Sequence, residues 1–373
     1  MNSNNNLNVG EAARGLLEAI RRYKNILIVV KGSPDPDVLA SSFVLRNVCD
    51  HYGIRSRITA LAELSLPQNR AIVKKLRIPV RFEKSLKADT EHDAYAVLDF
   101  QSAGMKELSE KIPCAVHIDH HEGLDRDVPA DFRLLSDQVG SVSTVMALIL
   151  RELALPFEED DQRQMCTALF FGIHTDTDHY RHATPLDYEA LEYLSPFLDM
   201  DIINSVLSIP MSDRMITLLG HAFRDREIYR GWLMTGIGFV DETDRDNIAL
   251  IADYLLEREE PVETVIVYAL IEKGHGRRLE LDASIRTRDE KLDLNGLIRS
   301  IPVDGGARAF KGAFQVNLDF FSHCPDRQAL WDLASTTIKE TMKNRRDNIG
   351  LLELKGFYRR LKKTIGGLFG SDG

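Results

Sequence analysis

Short apolar runs that stop at acids and histidines constrain this chain more than any other feature of its sequence. Asn25–Val30 leads into Lys31-Gly-Ser-Pro-Asp35-Pro-Asp37, Ala94–Leu98 into Asp99, and Ala115–Ile118 into Asp119-His120-His121. A fourth segment, Gly172-Ile-His-Thr-Asp176-Thr, carries the same residue types. Runs this short and this apolar read as strands covered on both faces. A further strand is predicted at Ser56–Thr59, and helical spacing is found over Glu11–Tyr23, Val38–Cys49, Lys106–Lys111 and Ser141–Leu153. Strands alternating with helices build a mainly parallel sheet, so the first half is predicted to be an α/β domain with helices flanking that sheet. Ligands of such sheets bind beyond the carboxyl ends of the strands. Asp35, Asp99 and Asp119 each fall there, which predicts that acids from three strands converge on one crevice.

At 373 residues the chain is long enough for two cores, and the pattern changes in its second half. After a helical stretch, Glu227–Val240 and Val265–Arg288 read as strands, the latter as a hairpin through Lys273-Gly-His-Gly276. Asn247–Glu257 and Asp326–Lys343 read as helices, with a strand at Phe314–Phe321. The expected organisation is an α/β domain over 1–195, a helical linker over 196–220, a smaller α+β domain over 221–343 and a basic amphipathic tail over 344–373. In that tail Leu, Phe, Tyr and Ile alternate with Lys355, Arg359, Arg360, Lys362 and Lys363, a composition suited to docking as a terminal helix or touching an anionic surface.

Charged residues at 28% and hydrophobic ones at 44% describe a soluble globular protein, and no apolar run is long enough to span a bilayer. The first residues lack the features of a signal peptide, which predicts a cytoplasmic location. Four scattered cysteines without a CxxC pair indicate neither a zinc knuckle nor a disulfide framework. A net charge of −10 argues against sequence-independent binding of long nucleic acid, which needs many lysine and arginine contacts to phosphate. A small anionic substrate held through a metal is compatible, and so is a homodimer.

Hard oxygen ligands with an imidazole suit Mn²⁺ or Mg²⁺ better than a thiolate-loving metal. A lone aspartate after a strand is usually a helix cap or turn former. The ordered set is what points to metal chemistry.

These segments in this order, with Ser41 after the first and Gly140-Ser-Val-Ser-Thr144 opening a helix between the third and fourth, resemble the four motifs of the DHH phosphoesterase superfamily. The second half looks like the DHH-associated substrate domain, with Ala283-Ser-Ile-Arg286 and Gly305-Gly306 matching its serine-x-arginine strand and glycine loop. The resemblance covers about residues 10 to 340. It implies hydrolysis of phosphodiester or phosphomonoester bonds in small nucleotides: short oligoribonucleotides, phosphoadenosine phosphate or cyclic dinucleotides. It further implies one metal site made by Asp37, Asp99, His120 and Asp176, and a second by Asp35, Asp99 and a histidine at position 31. His121 would contact the scissile phosphate and Asp119 would orient its neighbours. Arg286, Gly305, Gly306 and Arg308 would hold the far end of the substrate.

Position 31 is a lysine, and an ammonium has no lone pair for a metal. The expectation is therefore one complete site for Mn²⁺ or Mg²⁺ beside an incomplete one. Three outcomes are open for Lys31: a fixed charge in place of the second ion and part of the catalytic set, displacement by His174, His179 or His182, or a site of reduced hydrolytic power. The glycine loop also lacks the family's histidine, having Ala307 or Arg308 there. The alternatives are a catalytically weak nucleotide-binding module of the same family and an inorganic pyrophosphatase or exopolyphosphatase-like enzyme. The basic cluster expected of a pyrophosphatase's second domain has its nearest match only in the tail.

Overall fold

The computed structural model describes residues 7–32, 34–64, 66–86, 91–105, 108–121, 128–274, 278–307 and 310–368, with side chains to residue 348. Two units divide the chain, Met1–Ile209 and Pro210–Gly373. The division falls inside the stretch read as a linker.

In the first unit, α1 (Val9–Ile20), β1 (Asn25–Val30), α2 (Pro36–His51), β2 (Arg55–Ala60), α3 (Pro67–Lys75) and β3 (Val80–Phe82) come first. There follow β4 (Ala94–Leu98), β5 (Cys114–Asp119), β6 (Ala130–Leu135), α4 (Val142–Leu153), α5 (Glu159–Asp176), α6 (Pro185–Leu194) and α7 (Met200–Leu207). The strands form one sheet in the order β3-β2-β1-β4-β5-β6, and every pairing is parallel. Strand order reverses between β1 and β4, which are hydrogen-bonded neighbours. Loops leaving these two strands diverge, so the crevice of a doubly wound sheet opens beyond their carboxyl ends.

The two faces of this sheet are covered unequally. Ile26, Ile28 and Val30 of β1 lie in the large core with α1, α2, α4 and α5. Leu27 and Val29, pointing the other way, meet a smaller cluster made with Tyr95, Val97, Leu86, Ala103, Met105 and Leu108. That second cover comes from connecting segments rather than from a helix. Residues 108–112 form turns where a helix over Lys106–Lys111 is expected, and positions 106 and 107 lie outside the described residues.

The second unit has α8 (Asp213–Asp225), β7 (Glu227–Tyr229), β8 (Trp232–Asp241), α9 (Asp246–Arg258), β9 (Thr264–Lys273) and β10 (Arg278–Thr287). These are followed by α10 (Leu294–Arg299), β11 (Asp304–Ala307), β12 (Lys311–Asn317) and α11 (Arg327–Leu368). Its sheet runs β11-β12-β10-β9-β8-β7. Strands β8 and β9 are parallel across the α9 crossover, and the other pairs are antiparallel. The predicted hairpin is β9–β10, though His275 and Gly276 at its tip lie outside the described residues. The strand expected to reach Phe321 stops at Asn317, and Asp319–Phe321 is a turn of 3₁₀ helix. Helix α11 runs without a break into the basic tail as far as Leu368. No described helix is long and apolar enough to cross a membrane.

Candidate metal centre

The loop after β1 carries the first acids, and its two aspartates do different work. Asp35 is the N-cap of α2, accepting from Val38 N at 3.0 Å, with Pro36 as the first helical residue. Asp37, two residues further in, is fully buried and accepts two backbone N–H groups at the start of α4: Val142 at 2.8 Å and Ser143 at 2.6 Å. The orphan amides and positive end of α4 thus clamp the Asp37 carboxylate in one orientation. Gly172 permits the closeness this requires. A Cβ there would lie 2.0 Å from Ser143 Oγ and 3.1 Å from Asp37 Cα, so any side chain would push α5 off both.

Asp99 follows β4 in the left-handed region, at φ +51, while its N–H still bonds to Ile118 O at 2.9 Å. Aspartate tolerates that conformation better than most residues. His120 and His121 follow β5, and Asp176 is the last residue of α5. The fourth motif is therefore helical, unlike the strand-ending runs of the other three.

These elements bring Asp37, Asp99, His120 and Asp176 together, one ligand atom from each lying within 4.8 Å of the others. Asp99, His120 and His121 satisfy the same condition. His120 Nε2 is 3.0 Å from Asp176 Oδ2 and 3.4 Å from Asp99 Oδ1. Yet His120 Nε2 and Asp99 Oδ1 are buried without a hydrogen-bond partner among the described residues. Buried polar atoms left this way, facing one another in a set of hard oxygens and one imidazole, fit a divalent ion.

The electrostatics agree with that fit. Burial, then the charge of Asp176, pushes both Asp35 and Asp37 up to about 7. Burial also raises Asp99 well above the carboxylate range, against its contact with His120. For His120, burial works downward, but the contacts with Asp176 and Asp99 outweigh it and raise the imidazole to about 11. A crowd of buried carboxylates calls for positive charge, and a divalent ion provides it.

His121 is held separately. Its Nδ1 lies 2.7 Å from Oδ1 of the fully buried Asp119. With the Nδ1 proton donated to that carboxylate, Nε2 of the neutral ring carries the lone pair.

Lys31 turns to the loop that follows Asp99. Its ammonium donates to Ser102 O at 2.9 Å and Gly104 O at 2.7 Å and stands 4.4 Å from the centroid of the Phe100 ring. Of the alternative histidines, His174 is packed between Phe170, His179 and Tyr180, and burial lowers it to about 4. Asp178, His179 and Tyr180, just past Asp176, all have positive φ, at 50, 56 and 69. Three left-handed residues in a row are costly, about 1–2 kcal/mol each, and such strain gathers at functional sites.

Asp187 is a contributor with no place among the sequence candidates. Fully buried, it accepts from Gly140 N at 3.0 Å, from Thr184 N at 2.6 Å and from the Thr144 hydroxyl. It thereby fixes the start of α4 that clamps Asp37. The signal was present as a capping box, Thr184-Pro-Leu-Asp187.

The expected substrate residues lie in the second unit. Arg286 forms an ion pair with Asp253 of α9, Nε to Oδ1 at 2.5 Å, and also donates to Ser284 Oγ at 2.8 Å. Gly305 is in β11 so close to β12 that a Cβ would lie 2.4 Å from Ala313 O, whereas Gly306 faces open space. Arg308 lies outside the described residues.

No protein-family model matches the chain. It is 28% identical over 317 residues to an uncharacterized protein of Methanocaldococcus jannaschii, covering 84% of this chain and 62% of that one. The chain therefore spans less than two thirds of that relative's length. Among solved structures, an exopolyphosphatase-related protein from Bacteroides fragilis aligns with TM-score 0.66 and 14% identity, over 89% of this chain and 98% of its own. That likeness shows a shared fold. RecJ in complex with Mn²⁺ from Thermus thermophilus aligns more loosely, with TM-score 0.45 and 13% identity over 88% of this chain and 55% of its own.

Proposed function

We infer that this chain, a DHH-superfamily protein by its motifs and its fold, is a metal-dependent phosphoesterase acting on small nucleotides through one firmly held divalent ion. The observation that carries the reading is the convergence of Asp37, Asp99, His120 and Asp176 within 4.8 Å, with unpartnered buried ligand atoms among them. These four side chains would hold Mn²⁺ or Mg²⁺. When bound, such an ion supplies Lewis acidity toward a phosphoryl oxygen and lowers the pKa of a water molecule. The rest is done by the protein's own groups. Asp119 holds His121 in a single tautomer, so that its Nε2 can accept or deliver a proton at the scissile phosphate. Lys31 stiffens the loop that carries Asp99 by tying two carbonyls of that loop to the end of β1. Within the second unit, Arg286, paired with Asp253, is the candidate for recognising a phosphate.

A second reading, a nucleotide-binding module with weak hydrolytic power, is favoured by the engagement of Lys31 with backbone carbonyls, since this lysine adds nothing to the ligand set. One assay separates the two. A linear dinucleotide, phosphoadenosine phosphate, cyclic dinucleotides and pyrophosphate are each incubated with Mn²⁺ and with EDTA. Turnover of an ester substrate with Mn²⁺ that is lost in EDTA and in Asp99→Asn supports the phosphoesterase. Binding without turnover supports the module, and turnover of pyrophosphate alone contradicts both.

A further inference from the structure

The amino end of the first sheet carries a feature that the crevice at its carboxyl end does not explain. Parallel sheets are normally buried on both faces by apolar strand residues. Strand β2 breaks this rule: it begins Arg55-Ser56-Arg57 before its buried half, Ile58 to Ala60. Parallel register places Asn25 beside Arg55, Leu27 beside Arg57 and Thr59 beside Arg81 of β3. Partners in register and residues two apart along a strand share a face. Arg55, Arg57 and Arg81 therefore stand on one face, the face over which β1 has only the smaller cover of connecting segments. Successive same-face residues are about 6.6 Å apart along a strand and diagonal neighbours about 7–8 Å.

These side chains line a concave pocket of about 470 Å³ together with Asn25, Ser56, Glu91 and His92. Its exposed wall is more polar than apolar, and its size falls in the range of small-molecule sites. Three arginines and one carboxylate, Glu91, are among the lining residues, and a second carboxylate, Asp93, accepts from Asn25 N at 2.9 Å. Neither Arg55 nor Arg81 makes an ion pair with a described residue. Arg55 and Arg81, both exposed, are held on a rigid sheet to either side of the half-buried Arg57. Guanidinium forks are shaped for phosphate oxygens. The Asn25 and Arg55 end of this pocket is about 20 Å of strand from the carboxyl-end crevice, and Arg81, level with Thr59, is set aside from β1 by two strand spacings, about 10 Å.

We propose that the Arg55–Arg57–Arg81 pocket is a second binding site, separate from the metal centre, for a small phosphorylated anion carrying two or more phosphates. Bound there, the anion would bridge β2 and β3, the outer strands of the sheet.

Calorimetric titration of the full-length chain with pyrophosphate and with adenosine diphosphate, in Mn²⁺ and in EDTA, tests this. Saturable binding of one equivalent in EDTA is expected, kept in Asp99→Asn and weakened about 10-fold or more in the double variant Arg55→Ala/Arg81→Ala. Both substituted residues are exposed, so the melting temperature and Mn²⁺ affinity of the double variant should match those of the parent. Tighter binding of the nucleotide identifies a base contact, and equal binding identifies the phosphate chain as the ligand; either result supports the proposal. Equal affinity in parent and double variant, binding lost in Asp99→Asn, or no binding in EDTA overturns it. Loss in Asp99→Asn would place the anion at the metal centre, whereas the other two results leave that centre untouched.

Discussion

Asp35 and Asp37 are two residues apart on one loop, yet the structure gives them different tasks, and the contrast explains the whole crevice. Asp37 is clamped by the amino end of α4 and faces Asp99, His120 and Asp176. Asp35 is occupied in capping its own helix and belongs to neither group of metal-ligating atoms. Its neighbour Lys31 is likewise occupied, by Ser102 and Gly104. One half of the crevice is thus a candidate ligand set supported from behind, and the other half is built into the scaffold. A ligand is made as much by the element that orients its carboxylate as by the residue type.

The contrast can be broken most forcefully at the candidate ligand set. Asp37→Asn or Asp99→Asn should weaken Mn²⁺ binding by more than about 100-fold, beyond the 10–100-fold usual for outer-shell changes, and abolish turnover; calorimetry and the ester assay read both. Next is the support. Asp187→Asn removes one of two acceptor oxygens behind the start of α4 and should cost about 10-fold in Mn²⁺ affinity. An unchanged affinity there would show that Asp37 does not depend on the helix.

The pH dependence follows from the raised carboxylates. Asp35 and Asp37 titrate near 7 in the metal-free fold, well above their unfolded values of about 4. The metal-free fold accordingly has this stability in full below about pH 4 and loses it as pH rises through 7. Metal binding gains over the same range as protons leave the ligands. EDTA should therefore lower the melting temperature more at about pH 8 than at about pH 6, and an equal drop at both would contradict the site.

The scaffold half gives the smaller effects. Lys31→His removes a charged donor from two carbonyls and should destabilise the protein by about 1.5–3 kcal/mol, measured in urea. A gain of a second ion with higher turnover would instead show that the lysine alone closes the second site. Asp35→Asn should change Mn²⁺ affinity least, by less than about 3-fold, because asparagine caps a helix as well as aspartate does. A loss as large as that of Asp37→Asn would make Asp35 a ligand.

The sheet was legible because β1, β4 and β5 are short, mostly apolar runs, and the convergence of acids was legible because strand ends in such sheets share a crevice. The edge strands were not. Val80–Phe82 is too short to show a period, and Ala130–Leu135 mixes charge with apolar residues. At the site, residue types near strand ends marked the residues that converge, but the sequence could not distinguish a cap from a candidate ligand in Asp35-Pro-Asp37. That difference depends on α4, which begins 105 positions beyond Asp37. Asp187 was hidden for a similar reason: its capping box is local, but the helix it supports is a different one. The direction taken by Lys31 was equally beyond reach, because the carbonyls it meets belong to a loop 71 to 73 residues away.

The central claim is a single metal ion in a crevice whose other half serves the scaffold. Equilibrium dialysis of the full-length chain against Mn²⁺, followed by elemental quantification, tests it directly. One ion per chain, lost in Asp99→Asn and kept in Asp35→Asn, is the predicted result. Two ions per chain in the unsubstituted protein would contradict it.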